Sequence, residues 1–255
     1  MPGNGDIQAR CELGQQQLMR TEYLDAEATL ASAEGDAWAA RDFDTLSRLY
    51  MPLQEARRQI RQRCGEGIVR FDLIASGPDD RIDAADVVAG HPHGQLLVAG
   101  WGSIEPARAI RSLARERKLY VETFLAAVYP VEAGGRAMVI TPLDDVALPP
   151  PQEQSVDTLI RKLPAHSIVL AADELPKGTR KGDTTTFAQV MAMWERLHAP
   201  FLAAADMQVD PVQKIEAYRK TQRVDYGCEL AHQKASDMAR QMAREQRQQS
   251  RRPAS

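Results

Sequence analysis

A run of evenly spaced small and apolar residues near the C-terminus constrains the fold of this chain more than any other feature. The spacing alternates between four and three positions, which is the heptad register that aligns side chains along one line of an α-helix. The members of this interaction seam are Ala217, Thr221, Val224, Cys228, Ala231, Ala235, Met238 and Met242. Because most of them are small, another helix can approach closely. The pattern predicts one long helix, from the Asp210-Pro211 start to about residue 246, packed along a partner helix.

An amphipathic stretch lies immediately before the seam. Its apolar residues recur at helical spacing from Phe187 to Ala205, and a turn at 206–210 separates them from the seam. We therefore predict a helical hairpin over residues 184–246, followed by a disordered tail at 247–255. Because the first stripe is shorter than the seam, the turns around Met238 and Met242 overhang it. We expect these turns to pack on another part of the chain or on a second copy, which favours a protein partner or a homo-oligomer.

Residues 1–65 predict a helical segment because apolar residues recur there at helical spacing. Leu13-Gly14, Ala26 and Leu30 stand at the Leu-Gly, Ala and Phe places of a tetratricopeptide repeat. The segment resembles about one such repeat, although Arg10, Gln17 and Trp38 stand where the repeat has Trp, Tyr and Pro. The resemblance implies a surface that docks a peptide or a protein, and no catalysis. A generic helical hairpin is the alternative.

Residues 66–183 predict an α/β core. Strand-like runs occur at 68–75, 95–101, 120–129, 137–141 and 167–172, and helical patterns at 104–118 and 155–163. The segment Ala133-Gly134-Gly135-Arg136 predicts a hairpin turn between the third and fourth strands. This order of elements is typical of a mixed sheet. The predicted fold class is therefore α/β with a mixed sheet, a helical N-terminal segment and a long C-terminal helical hairpin.

Charge and cysteine content narrow the function classes and the compartment. The net charge of −3 over 255 residues makes nucleic acid an unexpected partner, and we interpret the arginines at 57, 58, 61 and 63 as solvated helix faces. No stretch is long and apolar enough to cross a bilayer, and no signal peptide is visible. Three widely separated cysteines show neither a disulfide framework nor a CxxC metal motif. We therefore expect a cytoplasmic protein that is not bound to a membrane.

Two loops and a histidine pair carry candidate ligand-binding residues. Ser103 follows a Gly100-Trp101-Gly102 turn between a strand and a helix, where backbone N–H groups can hold an anion. His91 and His93 flank a proline before the same strand. The second loop contains Lys177, Arg180 and Lys181 beside glycines that precede a helix. Cations and exposed N–H groups at a helix start are the elements of a phosphate site.

The histidines also have spacings that suggest metal ligands, but none completes a site. The pair at 91–93 supplies two ligands where zinc needs three or four. Glu195 with His198, and Glu229 with His232, have the Glu-x-x-His spacing of di-iron helical bundles. In the predicted hairpin these two pairs lie about 12 Å apart along the helix axis, so they cannot share a metal. We therefore predict no metal and no cofactor.

The sequence favours binding over catalysis. No serine-nucleophile motif is present, and no cysteine and histidine have a spacing typical of nucleophilic catalysis. The helix-packing signals favour a non-catalytic protein-interaction or assembly protein that uses its helical surfaces. The alternative is a ligand-binding protein, or an enzyme that acts on a phosphorylated small molecule, with its site at the strand ends of the α/β core. The sequence leaves open whether the chain is an enzyme.

Overall fold

Helices flank a five-stranded mixed sheet, which confirms the predicted α/β fold class. The computed structural model describes residues 4–171, 175 and 184–250, except the side chains of 4 and 184–186. The chain forms two compact units: a helical unit from Met1–Ile60 and His198–Ser255, and an α/β unit, Arg61–Leu197. The division expected from sequence patterns, at 65/66 and 183/184, follows changes in composition, whereas the compact units follow contacts between residues.

The helical unit is built from both ends of the chain. It contains α1 (Asn4–Met19), α2 (Tyr23–Ala39), α8 (Pro211–Val224), α9 (Glu229–Ser250), residues 43–60 of α3 (Phe43–Glu66) and residues 198–206 of α7 (Thr184–Asp206). The apolar faces of these helices bury one core. Its members include Leu30, Leu46, Tyr50, Ile215 and Ala235.

The same turn joins α1 to α2 and α2 to α3. The N–H of Glu22 donates to the carbonyl of Gln17, and the N–H of Asp42 donates to the carbonyl of Ala37, at 3.0 and 2.9 Å. This hydrogen bond belongs to the Schellman motif, which ends a helix with one residue in the left-handed region. Thr21 (φ 61°) and Arg41 (φ 55°) take that position. The first three helices are therefore linked by equivalent tight connections.

Gly14 sets how closely α1 and α2 approach. A Cβ atom at this position would lie 2.5 Å from the Cγ atom of Leu30. Leu30 is fully buried in the core of the helical unit. Any side chain larger than hydrogen at position 14 would therefore displace α2 or its leucine.

The predicted continuous helix over 211–246 is wrong, because the chain leaves the helix at Asp225. This residue has φ −138° and ψ 98°, and α8 ends before it while α9 begins at Glu229. The Asp225 carboxylate accepts a hydrogen bond from the Gly227 N–H at 3.0 Å. Side-chain capping of this kind competes with helical hydrogen bonding and stabilises the turn. The heptad spacing of the seam therefore continues through two helices that pack against each other.

The seam residues lie in the interior of the helical unit. Five are buried and three are partly buried: the buried ones are Thr221, Val224, Cys228, Ala231 and Ala235, and the others are Ala217, Met238 and Met242. Further along α9, Ala239 and Ala243 are more deeply buried than the two methionines. A straight helix has 3.6 residues per turn, so a 3.5-residue register drifts around its surface. Helix α9 lies beside α3: Ser236 Oγ donates to the carbonyl of Ser47 at 2.9 Å, and in the last turns of α9 Arg247 pairs with Asp44 at 2.9 Å.

The α/β unit has one sheet with strands in sequential order. The strands are β1 (Ile68–Ile74), β2 (His93–Trp101), β3 (Tyr120–Val131), β4 (Gly135–Ile140) and β5 (Ile168–Ala171). The first three are parallel, and each of the last two is antiparallel to its predecessor. The predicted β3–β4 hairpin is confirmed, but its turn is Glu132–Gly134 and not the predicted 133–136, because Gly135 and Arg136 already pair with β3. Within the turn, Ala133 has φ 63° and Gly134 has φ 72°. Positive φ angles at both positions match the twist of the strands.

The two faces of the sheet carry different side chains. One face buries an aliphatic core with α4 (Ala84–Gly90), α5 (Glu105–Glu116) and α6 (Val156–Lys162). The opposite face carries Phe124, which stacks on Trp194 of α7 with ring centroids 4.2 Å apart. The short helix α4 was not predicted from the sequence, because seven residues show too little periodicity to separate a helix from a loop.

Candidate functional site

A cavity opens at the carboxyl ends of the parallel strands. Its volume is about 190 Å³, and its lining residues are Asp72, Ile74, Val128, Arg136 and Met138. The carboxyl ends of parallel strands are where open α/β sheets bind their ligands. The cavity has three apolar walls and two charged groups, which is the usual composition of a small-molecule site.

The apolar lining residues Ile74, Val128 and Met138 lie in two neighbouring rows of the sheet. Ala99 pairs with Ile74 on one side and with Ala126 on the other, so the three residues form one row across the sheet. Val128 and Met138 are paired in the next row. The three apolar walls of the cavity therefore come from β1, β3 and β4.

A β-bulge places Asp72 at the cavity. The β1–β2 register shifts between Arg70 and Leu73, and a bulge of this type redirects a side chain that regular pairing would place elsewhere. The Asp72 carboxylate accepts a hydrogen bond from Arg70 Nε at 2.7 Å. Arg70 also contacts the ring of His91 at 3.1 Å. Burial and the charge of Arg70 both lower the pKa of His91, so its imidazole is neutral at pH 7.

Arg136 is the cation of the cavity. It lies at the start of β4, is exposed, and forms no ion pair with a carboxylate in the part of the chain that the structure describes. An arginine in this setting can bind a phosphate or carboxylate with two parallel hydrogen bonds.

The sequence-predicted ligand residues do not come together. His91 and His93 lie at the amino end of β2, whereas Ser103 follows its carboxyl end. The nine residues of β2 make eight steps from His93 to Trp101, or about 26 Å at roughly 3.3 Å per residue. Ser103 Oγ accepts a hydrogen bond from the Glu105 N–H at 3.2 Å, and the His93 ring contacts the carbonyl of Arg63. Lys177, Arg180 and Lys181 lie outside the described residues.

The described residues contain no group of three histidine, cysteine or acidic side chains that could hold a metal ion. Each Glu-x-x-His histidine has another partner. His198 Nδ1 lies 2.6 Å from an oxygen of Asp225. His232 is fully buried, contacts the Cys228 carbonyl and lies 3.1 Å from Arg57. Burial and the charge of Arg57 lower the pKa of His232 to about 3.

The interpretation of the arginines at 57–63 as solvated helix faces is wrong for two of the four. Arg57 pairs with Glu27, and its side chain is 13% exposed. Arg61 pairs with Glu122 of β3 at 2.7 Å, and its side chain is 6% exposed. The other two, Arg58 and Arg63, are half-exposed and pair with glutamates three residues away on the same helix. All four guanidinium groups are therefore neutralised within the chain.

Sequence reasoning did not assign Asp72 or Arg136 to this cavity. The available signal is the position of each charge near the end of a predicted strand. Arg136 stands in the predicted hairpin turn, and the sequence suggests Asp72 only as a residue that could approach the histidine pair at 91 and 93 across the sheet. Their convergence depends on the bulge in β1 and on the order of the strands, which a single sequence does not reveal.

The chain is thus a mixed α/β protein with a strand-end cavity. No protein-family model matches it, and no significant similarity to a curated protein or to a solved structure was found. Within the described ranges, every helix is too short or too polar to pass through a lipid bilayer.

Proposed function

We propose that the α/β unit binds a small anionic metabolite in the strand-end cavity. The observation that carries this proposal is the placement of Arg136 beside the apolar walls formed by Ile74, Val128 and Met138. Arg136 would hold the phosphate or carboxylate group, and the apolar walls would contact the carbon skeleton. Asp72 would accept hydrogen bonds from a hydroxyl or amino group of the same molecule.

The size of the cavity restricts the ligand. Its volume is about 190 Å³. Sites for drug-sized ligands occupy roughly 300–1,000 Å³. The cavity therefore fits a phosphorylated or carboxylated molecule of a few carbon atoms better than a whole nucleotide.

A thermal-shift series with small phosphorylated and carboxylated compounds tests this proposal. A ligand present at 100 times its Kd adds about 2.7 kcal/mol to the free energy of unfolding. We expect at least one compound to raise the Tm by several degrees, and Arg136→Gln to abolish the shift.

Arg108→Gln is the matched control. Arg108 is a half-exposed arginine of α5 that pairs with Glu105, and its loss should leave the shift unchanged. Equal stabilisation of wild type and Arg136→Gln, or no shift with any compound of either class, contradicts the proposal.

A second function, peptide docking by the helical unit, is supported by the way its first three helices follow one another. Equivalent turns join them, and Gly14 packs tightly against Leu30 at the Leu-Gly position of the tetratricopeptide resemblance. Helices stacked in this way present adjoining surfaces that repeat proteins use for binding. On α1, Leu13 is 45% exposed and Met19 is 78% exposed. We propose that an apolar peptide segment of a partner protein contacts these residues.

Peptides selected from a display library on the full chain test this second function. We expect Leu13→Glu and Met19→Glu each to weaken binding of a selected peptide about tenfold. Ile160→Glu, at an exposed apolar residue of α6, should have no effect. Binding that tolerates both α1 substitutions contradicts the proposal.

We also propose a reducing compartment such as the cytoplasm. Its support is that Cys11, Cys64 and Cys228 are all free thiols.

A further inference from the structure

The strand-end cavity carries one positive and one negative group, and these lie on different strands. Asp72 belongs to β1 and Arg136 to β4, with β2 and β3 between them. Three strand spacings separate β1 from β4, which is about 14 Å between their backbones. Both side chains line the cavity, but within the described ranges no ion pair joins them. The cavity therefore presents two opposite charges that are held apart.

On the β1 side, the carboxylate of Asp72 is the charged group that a ligand meets. Its side chain is 66% exposed, whereas Arg70, its partner, lies outside the cavity lining. Arg70 Nε donates to Asp72 Oδ1 at 2.7 Å, and Arg70 Nη1 lies 3.1 Å from His91 Nε2. Arg70 therefore supports Asp72 from outside the cavity. Because a carboxylate has about four lone-pair sites, Asp72 can accept further hydrogen bonds from a ligand.

On the β4 side, Arg136 offers its guanidinium to an anion, and the surface between the two charges is apolar. Ile74, Val128 and Met138 form that surface. A polar or charged group placed against these side chains would lose its hydrogen bonds to water and gain none from the protein, which is costly. The cavity therefore favours a ligand that carries its charges at its two ends and has a plain carbon chain between them.

We propose that the ligand of this cavity is a small zwitterion, whose carboxylate or phosphate contacts Arg136 and whose primary ammonium group contacts Asp72. This inference rests on the proposed binding of an anionic metabolite and narrows the class of that metabolite. The compounds that fit are ω-amino acids and aminoalkyl phosphates with a short unbranched chain. A molecule with an anion at both ends is disfavoured, because its second anion meets the Asp72 carboxylate.

The separation of the two charges also argues against α-amino acids. In an α-amino acid both charged groups are attached to one carbon atom, so they lie too close together to reach side chains from β1 and β4 at once. An ω-amino acid places the charges at opposite ends of its chain. We therefore expect affinity to depend on the number of methylene groups and to be greatest at one chain length.

Isothermal titration calorimetry on the full chain with matched compounds tests the inference. For two, three and four methylene groups, the zwitterions are β-alanine, γ-aminobutyrate and δ-aminovalerate. The matched monoanions are butanoate, pentanoate and hexanoate, and the matched dianions are succinate, glutarate and adipate. Aminoethyl phosphate and propyl phosphate form a fourth pair, which distinguishes a phosphate from a carboxylate at Arg136. We expect the best zwitterion to bind about fivefold more tightly than its monoanion, the upper end for an ion pair that stays partly exposed, and the dianion to bind more weakly than both.

Substitutions of Asp72 show whether its charge causes this preference. In Asp72→Asn, we expect the zwitterion and its monoanion to bind equally, with the affinity for the monoanion within about twofold of wild type. In Asp72→Lys, the dianion should become the preferred ligand. Glu116→Gln is the matched control, since Glu116 is an exposed acidic residue of α5, on the opposite face of the sheet. It removes the same charge and should keep the wild-type order of affinities.

The outcomes separate this inference from the proposed function beneath it. If monoanions bind through Arg136 but no zwitterion binds more tightly than its monoanion, the inference is overturned and the proposed function stands. A zwitterion preference that persists in a folded Asp72→Asn protein overturns the role of Asp72. If no compound of any set binds the wild-type protein, both the inference and the proposed function are wrong.

Discussion

Arg61 and Glu122 show how a charge pattern can mislead. Arg61 lies in a helical stretch rich in arginine, which is typical of a solvated surface, yet its side chain and that of Glu122 are 6% and 4% exposed. Gln95 also donates to the Glu122 carboxylate, and the Arg61 guanidinium lies over the ring of Trp194 at 4.7 Å. The partner carboxylate is 61 residues away, so no local spacing could identify the pair.

Replacing one member of this buried pair is expected to lower the free energy of unfolding far more than replacing both members. Glu122→Leu removes the carboxylate that pairs with the buried Arg61 guanidinium, and we expect it to lower the free energy of unfolding by about 3–5 kcal/mol. The double variant Arg61→Met/Glu122→Leu should recover most of that loss, because both members of the pair are then replaced by apolar side chains. Urea unfolding followed by tryptophan fluorescence measures both.

Glu105→Leu is the control for these two variants. Glu105 is 69% exposed and pairs with Arg108, and pairs of this kind are worth at most about 1 kcal/mol. A double variant as unstable as Glu122→Leu would show that the ion pair itself, not its imbalance, stabilises the α/β unit.

At the scale of elements, the sequence predicts which segments are helices and strands better than how they end. The sequence predicts long elements such as the β3 strand and the α5 helix. Burial of one face makes apolar residues recur every two positions in a strand and every 3.6 positions in a helix. The turns after α1 and α2 place Thr21 and Arg41 at positive φ, where glycine is the usual signal. The break at Asp225 was hidden because the seam spacing continues across it.

Thr21→Gly is expected to stabilise the helical unit. A β-branched residue at φ 61° is strained, and glycine adopts this conformation without that cost. We expect the free energy of unfolding to rise by about 0.5–1 kcal/mol. This figure allows for the greater conformational freedom of glycine in the unfolded chain. Thermal unfolding by circular dichroism checks it. Thr21→Ala keeps a Cβ atom and should not reproduce the gain; if it does, the strain argument fails.

At the scale of the molecule, two histidines make the stability of the helical unit depend on pH in opposite directions. The folded-state pKa of His232 is lowered to about 3, so the unfolded chain gains a proton below pH 6.5 and the folded chain does not. Stability therefore falls as pH drops from 6.5 towards 3. The pKa of His198 is raised to about 10, so its contribution is complete below pH 6.5 and is lost as pH rises towards 10.

Hydrogen exchange at different pH values tests this dependence unit by unit. We expect protection of α9 peptides, corrected for intrinsic exchange rates, to be greatest near pH 6.5 and to decline on both sides. The acid decline should approach 1.4 kcal/mol per pH unit at most. His198→Asn should remove the alkaline decline and keep the acid one. An α9 profile that declines only at acid pH in the wild type would contradict the contribution of His198.

The candidate cavity could be predicted only in part. The strands that line it and the β3–β4 hairpin follow from alternation and turn residues. Which side chains face one another across the sheet depends on register, and the bulge before Leu73 shifts that register by one residue. Such a shift changes the face that each side chain occupies, so Asp72 could not be assigned to the site from its position in the strand.

The discontinuous make-up of the helical unit has a consequence for synthesis on the ribosome. The α/β unit is continuous, Arg61–Leu197, and can fold as soon as it emerges. The apolar faces of α1 to α3 are completed by Ala235, Ala239 and Ala243 of α9, which are made roughly 10–40 s after α3 at common translation rates. During that interval the side chains of Leu30, Leu46 and their neighbours are not yet packed against α9. We therefore expect the nascent chain to expose these aliphatic helix faces until α9 has been made.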